Sequence, residues 1–518
     1  MRVPADPQGR MTPYKQIRPI RKPIPGARQG AKRHYGVHPY FTRRPFNVVR
    51  DYIRHYSRPG DRVLDPFGGS GVTAIEAFLD NRTGIHNDIN PLANFIANGV
   101  AGLVHGSASA YAAGLEEISA RCKQRVLSLS NISDASVARL LRSVRLPPNV
   151  SLPSTADVAR YHDLFSARQL LALAWLREAV DGLSNRHARR AMQLAWSAAL
   201  AKLNRTFLSA EGRVESRGGS SIFSIYRYKV AAKPVELPPW ATFYERAQNV
   251  LAAKAEVEQV LEYHRSTGGF TGRFEVHEQD IDSLGDLVEP VDYIFTDPPY
   301  GGHIAYIDLS TLWNAWGGRV PAVQTRHQEL IVGGELGLLD DEYVTRLHDS
   351  VGICLKLLKP GRWLSIVFQH WSTAYFDAIL TGAADEGGDL RAAVSQVGDP
   401  VWSMHKKKGN QSVLAGELIL TFLKTGKKRK IETGRPFDVP GAVKRALQES
   451  DGEAVYGEQL FNRVIIDAWG AGALGSLDVT REAFSELIMR CGWYYDDERH
   501  QWRRGGGAQQ GSSLLAGM

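Results

Sequence analysis

A short apolar strand that runs into a glycine-rich turn constrains the fold more than any other feature of this chain. The strand at 62–64 leads into DPFGGSG at 65–71, and the helical segment VTAIEAFLD follows. A second strand, at 82–86, then ends in Asn87-Asp88. This order of strand, glycine-rich turn, helix and strand is how a doubly wound α/β sheet begins. We therefore predict a mainly parallel sheet with a ligand site at the carboxyl ends of its strands.

The glycine-rich turn has the chemistry of a nucleotide-like site. Glycines let the main chain approach a ligand closely, and the start of the next helix offers free N–H groups. Asp88 stands at the end of the following strand, where a carboxylate can accept hydrogen bonds from ribose hydroxyls. A tight turn with no ligand is the alternative, but the flanking elements and Asp88 favour binding. The turn lacks Gly-Lys-[Ser/Thr], which argues against a P-loop.

A second motif, Asp297-Pro298-Pro299-Tyr300, follows the apolar strand at 292–296. Two consecutive prolines stiffen the chain and remove two N–H donors, so the segment is rich in acceptors. A carboxylate, a bare carbonyl and an aromatic ring would thus project from the carboxyl edge of the sheet. This set suits a planar group with an exocyclic amine, which Asp297 and the Pro298 carbonyl would hold while Tyr300 stacks on its face.

Together the two motifs resemble those of the S-adenosylmethionine-dependent amino-methyltransferases of DNA, the N6-adenine and N4-cytosine family. DPFGGSG is similar to the cofactor motif of that family and DPPY to its catalytic tetrapeptide, and HPYFTRRP at 38–45 resembles its remaining cofactor motif. The likeness covers roughly 35–105 and 270–425. The catalytic residues it implies are Asp297, Pro298, Pro299 and Tyr300. The cofactor-binding residues it implies are His38, Pro39, Tyr40, Phe41, Thr42, Asp65, Pro66, Phe67, Gly68, Gly69, Ser70, Gly71, Asp88 and Asp280.

The resemblance implies a Rossmann-like class I methyltransferase sheet, the cofactor S-adenosyl-L-methionine, no metal, and double-stranded DNA as substrate. An amine inside a duplex is out of reach, so the target base would be flipped out and Tyr300 would stack on it in place of its neighbours in the helix. Aspartate at the first catalytic position favours N6 of adenine over N4 of cytosine, while Val72 replaces a threonine usual in the family. An RNA methyltransferase acting on guanine N2 or adenine N6 remains an alternative, as does a non-catalytic DNA-binding subunit.

Strand–helix alternation stops after the second strand and resumes near Phe274, which indicates a large insertion within one domain. Family likeness and pattern together predict the following division: a basic flexible arm at 1–33, a catalytic domain at 34–104 and 266–426, a mainly helical insertion at 105–265 that recognises the target, a small α or α+β module at 440–504, and a disordered tail at 505–518.

Charge is segregated along the chain. The net charge is only +8, yet residues 1–50 hold 12 basic and 1 acidic side chains, and residues 121–240 hold 19 and 8. Clustered cations release counterions together when they bind a polyanion, so both blocks are expected to contact DNA. The residues proposed for this contact in the insertion are Arg205, Arg213, Arg217, Arg227, Lys229 and Lys233.

Cysteine usage and hydropathy indicate the compartment. Three cysteines lie far apart in the sequence, with no Cys-x-x-Cys pair, which favours a reducing environment. No apolar run approaches eighteen residues, and the start of the chain has no apolar leader-like segment. We expect a cytoplasmic protein, associated with the nucleoid when bound to DNA and without membrane contact. The family likeness also allows a restriction or defence-system partner.

Overall fold

The computed structural model describes residues 12–27, 33–208, 219–230, 235–302, 304–396, 417–429, 435–450, 454–474, 477, 479–496, 499 and 501–505 of the 518-residue chain. Its centre is a seven-stranded sheet formed by β1 (Arg62–Asp65), β2 (Thr83–Asn87), β5 (Arg273–His277), β6 (Val291–Thr296), β7 (Leu358–Phe368), β8 (Gly388–Gln396) and β9 (Glu417–Lys424).

The strands of this sheet lie in the order β5-β2-β1-β6-β7-β9-β8. All neighbouring pairs from β5 to β7 are parallel, and β9 runs antiparallel to both β7 and β8. The strand order reverses between β1 and β6, which is where an open α/β sheet forms its ligand crevice. The predicted doubly wound, Rossmann-like class is confirmed.

Helices cover both faces of the sheet, because its central strands are apolar on both sides. Strand β6 is buried along its whole length, with Tyr293 and Phe295 in the core on one face and Ile294 in the core on the other. The helices associated with the sheet are α1 (Phe46–Tyr56), α2 (Val72–Leu79), α3 (Pro91–Ala101), α10 (Ile281–Leu284), α11 (Tyr306–Gly317), α12 (Val323–His327), α13 (Asp340–Leu357) and α14 (Thr373–Asp385).

Residues 105–265 are mainly helical and share the core of the first face. Their elements are α4 (Ala108–Leu127), α5 (Asp134–Leu141), α6 (Ala167–Asp181), α7 (Arg186–Leu200), the two-residue strands β3 (Phe207–Leu208) and β4 (Gly219–Ser220), α8 (Ser221–Ser224) and α9 (Pro239–Ser266). Helix α7 packs on both α3 and α11, so the insertion reaches the helix that follows the DPPY segment.

A small module follows the sheet, made of α15 (Val439–Gln448), β10 (Ala454–Val455), α16 (Gly457–Gly470), α17 (Arg481–Arg490), β11 (Trp493–Asp496) and β12 (Gln501–Arg504). Its three strands form an antiparallel sheet in the order β10-β12-β11, in which β11 and β12 make a hairpin after the last helix. The Trp371 ring, just after β7, lies 4.4 Å from the Phe461 ring of α16. The module is therefore attached beside the carboxyl edge of the sheet.

The prediction of a flexible arm over 1–33 is wrong for residues 12–27, which pack against the sheet domain. Ile17 is buried in the core, and the indole Nε1 of Trp363 donates a hydrogen bond to the Tyr14 carbonyl at 2.8 Å. The basic composition of the segment suggested mobility, but its scattered apolar side chains have partners that only the folded sheet supplies. Residues 1–11 and 28–32 of that arm lie outside the described residues.

Candidate active site

The two sequence motifs meet at neighbouring strand ends. Strands β1 and β6 are paired, with Leu64 opposite Ile294, so Asp65 and Asp297 follow adjacent strands at the carboxyl edge. The Thr296 hydroxyl donates a hydrogen bond of 2.8 Å to Asp65 Oδ1. Burial raises the pKa of the Asp65 carboxyl to about 7. Asp65 therefore connects the glycine-rich turn, which it begins, to the strand that precedes DPPY.

The glycine-rich turn lies close to β2 and is held by it. The Asn87 side chain donates to the Pro66 carbonyl at 3.0 Å, and the Phe67 N–H donates to Asp65 Oδ1 at 3.2 Å. A Cβ placed on Gly68 would lie 2.1 Å from the His86 ring, so any other residue there would have to displace this buried ring. The sequence requirement for glycine at this turn thus has a steric cause.

Asp88 binds the same turn. One carboxylate oxygen accepts the Gly69 N–H at 2.8 Å, and the other accepts the Asn90 N–H at 2.8 Å. Burial raises the pKa of Asp88 to about 6, and the nearby Glu278 carboxylate adds to the rise. The structure thus brings Asp88 to the glycine-rich turn, where the sequence predicts a ribose-binding acid.

Residues of the 38–42 segment divide between the turn and the core. The Tyr40 ring lies against Gly69 and stacks on Tyr306, with ring centroids 6.4 Å apart. Phe41 is buried in an aromatic cluster, and Thr42 hydrogen-bonds Tyr306. This cluster connects the segment to α11.

His38 contacts the helical insertion. Its Nε2 lies 2.9 Å from the Ser197 hydroxyl of α7, and its Nδ1 lies 2.7 Å from the Pro39 carbonyl. Burial lowers the pKa of His38 to about 3, so the ring is neutral at neutral pH. The His38 ring therefore links the 38–42 segment to the helical insertion.

Arg43 and Arg44, which the sequence motifs alone did not assign to the site, contact both motifs. The Arg43 Nε donates to the Ser70 hydroxyl at 3.0 Å, which fastens the segment to the glycine-rich turn. The next residue, Arg44, donates to both carboxylate oxygens of Asp297, from Nε at 2.5 Å and from Nη2 at 2.8 Å. The sequence did contain a signal for this role: two adjacent arginines stand in the 38–45 segment, which resembles a cofactor motif.

The DPPY segment is held from several sides. The Tyr300 hydroxyl donates to Asp297 Oδ1 at 2.5 Å, and the Tyr300 ring packs edge-on against Phe368 at 5.0 Å. The Tyr343 hydroxyl of α13 donates to the Pro299 carbonyl. In the described part of the chain, no donor is recorded for the Pro298 carbonyl. The DPPY segment thus offers two acceptors: the Pro298 carbonyl, and the Asp297 carboxylate, which already accepts hydrogen bonds from Arg44 and Tyr300.

Asp280 lies past the end of β5 and serves as the N-cap of α10. Its Oδ1 accepts the Ser283 N–H at 2.9 Å, and its Oδ2 accepts the Gln328 side-chain N–H at 2.7 Å. The neighbouring Glu329, which sequence reasoning missed, accepts the Ile307 N–H at 3.0 Å. Burial raises the pKa of Glu329 to about 8, and no local motif signals this residue.

The cations predicted to bind DNA are only partly covered by the structure. Arg227 is exposed and pairs with Asp157 at 2.8 Å, Lys229 is exposed, and Arg205 is half-buried with Nη1 bound to the Asp163 carbonyl. Arg213, Arg217 and Lys233 lie outside the described residues.

Tyr228, between Arg227 and Lys229, is buried, and its hydroxyl donates to the Leu309 carbonyl of α11 at 2.6 Å. Tyr226 has φ 50°, a conformation that is uncommon for a residue with a side chain. Because α11 begins six residues after Tyr300, this docking places the two flanking cations beside the helix that follows DPPY.

Within the ranges that the structure describes, no group of three or more His, Cys, Asp or Glu side chains is arranged to hold a metal ion. None of the helices in those ranges is both long enough and apolar enough to cross a lipid bilayer.

Comparison with known families finds one match: the family model described as DNA methylase matches residues 13–97. This range includes α1, the glycine-rich turn and Asp88, and it begins close to the first residue that packs on the sheet. No curated protein matches the chain.

Proposed function

We propose that this chain is a DNA amino-methyltransferase of the N6-adenine/N4-cytosine family and that it transfers a methyl group from S-adenosylmethionine to the exocyclic amine of a flipped base in duplex DNA, N6 of adenine in particular. The match of residues 13–97 to the family model described as DNA methylase supports the proposal. The observation that carries the proposal is the pairing of β1 with β6, which sets the glycine-rich turn and DPPY side by side at the point where strand order reverses.

The residues at the turn fit the proposed cofactor. Asp88 supplies carboxylate oxygens at a strand end for ribose hydroxyls, and the turn leaves no room for side chains at Gly68. Tyr40 adds an aromatic ring over Gly69. When bound, S-adenosylmethionine supplies a methyl group on a positively charged sulfur. The proposed holding residues are the 65–71 turn, Tyr40 and Asp88.

The DPPY residues would prepare the amine. Asp297 and the Pro298 carbonyl accept its two N–H bonds, which turns its lone pair outward and makes the nitrogen a better nucleophile. Tyr300 stacks on the base and takes the place of the neighbouring bases from which it has been flipped. No covalent protein intermediate is needed, because the chain has only to hold and orient the amine.

The proposed duplex contacts come from Arg227 and Lys229, which flank the docked Tyr228. Phosphate contacts of this kind weaken with salt and carry no sequence information. The helical insertion at 105–265 is the proposed target-recognition region.

The test is transfer of label from S-adenosylmethionine to unmethylated plasmid DNA, with nucleoside analysis to separate N6-methyladenine from N4-methylcytosine. Asp297→Asn should abolish labelling and leave cofactor binding intact, whereas Asp88→Ala should weaken cofactor binding. Asp286→Asn, an exposed aspartate after α10, is the matched control and should keep wild-type activity. Full activity of Asp297→Asn would refute the catalytic assignment, and preferential labelling of structured RNA would refute the choice of DNA.

A further inference from the structure

The Asp297 carboxylate already accepts hydrogen bonds from other side chains of the protein. The proposed function assigns the target amine to this same carboxylate. Asp297 accepts two hydrogen bonds from Arg44 and one from Tyr300. A guanidinium presents a planar pair of N–H donors, and so it fills the acceptor sites that an exocyclic amine would need. Three of the roughly four acceptor sites of the Asp297 carboxylate are thus taken, and an incoming amine competes with Arg44 for this carboxylate.

Arg44 has a second carboxylate partner within reach. Its Nη1 forms an ion pair with Glu417, the first residue of β9, while Nε and Nη2 face Asp297. The three side chains are 16% exposed for Arg44, 22% for Asp297 and 29% for Glu417. A cation in such partly buried surroundings is costly to leave unpaired, so the second acid gives Arg44 a place to stay when it leaves the first.

The backbone around Arg44 restricts the movement to the side chain. The preceding Arg43 is held by the Ser70 hydroxyl and by the Tyr35 carbonyl at 2.6 Å, and the following Pro45 is the N-cap residue of α1. Rotation of the long arginine side chain about its contact with Glu417 is therefore the available motion. It needs no rearrangement of the sheet or of the glycine-rich turn.

We propose that Arg44 is a positioning residue that takes the place of the target amine at Asp297 in the free protein and moves onto Glu417 when the base enters. This inference rests on the proposed function, since it assigns the amine to Asp297. The free protein then divides between a closed form, with Arg44 on Asp297, and an open form that accepts the base. Apparent affinity for the base falls in proportion to the open fraction.

The steady-state kinetics of three variants on unmethylated plasmid DNA test the proposal. Arg44→Gln removes the competing cation and should lower KM for DNA about tenfold, without a matching loss of kcat. Glu417→Gln removes the alternative partner of Arg44 and should raise KM by about the same factor. In the closed form Asp297 still holds the guanidinium, whereas in the open form Glu417 alone holds it, so the substitution disfavours the open form. In the double variant, the rise in KM caused by Glu417→Gln should vanish, because no guanidinium remains for Glu417 to bind.

Two further variants serve as controls. Arg44→Lys keeps the charge at a partly buried site but cannot bind both carboxylate oxygens, so it should fold and lower KM by a smaller factor. Arg429→Gln, at an exposed position after the end of β9 and outside the insertion, removes one positive charge elsewhere and should leave KM unchanged.

A lower kcat with unchanged or higher KM in Arg44→Gln would overturn the proposal, and so would additive effects of the two single variants. These results require an active wild-type protein. An inactive wild-type protein on every DNA tested would instead refute the proposed function and this inference with it.

Discussion

Replacing Gly71 by alanine should disturb the glycine-rich turn where it approaches α3. Gly71 has φ 87° at the N-cap of α2, and an added Cβ would lie 2.7 Å from Ala97 Cβ. The left-handed conformation costs an alanine about 1–2 kcal/mol. Overpacking of the added methyl against α3 costs about 1–3 kcal/mol more. We expect the free energy of unfolding to fall by about 2–5 kcal/mol.

Gly60→Ala is the matched control for the steric part of this loss. Gly60 has φ 88°, nearly the same as Gly71, but nothing lies within 4 Å of an added Cβ. The conformational cost alone, about 1–2 kcal/mol, should remain. Urea unfolding followed by tryptophan fluorescence measures both losses, and calorimetric titration with S-adenosylmethionine should show weaker binding for Gly71→Ala alone. Equal losses of stability and unchanged cofactor binding in both variants would refute the argument.

Two further predictions concern stability. Ile17→Ala should lower the free energy of unfolding by about 2–5 kcal/mol, because Ile17 is a core residue, whereas the exposed Ile225→Ala should change it by less than about 1 kcal/mol. Equally small losses in the free energy of unfolding for both variants, measured by urea unfolding, would mean that residues 12–27 do not stabilise the sheet domain. Burial raises the pKa of Glu329 to about 8 from an ordinary 4.5, so the folded state holds a proton that the unfolded state has lost between these values. Its contribution to stability is complete below pH 4.5 and disappears as pH rises through 8, so wild type should lose stability relative to Glu329→Gln across that window; parallel melting curves of the two proteins against pH would contradict this.

Local pattern predicted the elements that carry the two motifs. Helix α1 has the predicted bounds, because the apolar residues of FNVVRDYIRHY recur on one face and Pro45 precedes them. Strands β1 and β6 are short apolar runs that end at the two motifs, and the folded sheet pairs them. Strand β8 was missed, since GDLRAAVSQ is half-polar and becomes a strand by pairing with β9.

The sequence by itself determined that a glycine-rich turn and DPPY stand at strand ends, because both motifs depend on residues adjacent in the chain and on φ, sterics and strand periodicity. Only the tertiary structure decided what surrounds them. Arg44 meets Glu417 across more than 370 residues because β9 reverses beside β7. Residues 12–27 pack because the sheet domain supplies their apolar partners, and His38 turns inward because α7 offers Ser197. Contacts between distant segments leave no periodic signal in either segment, so they emerge only when the chain folds.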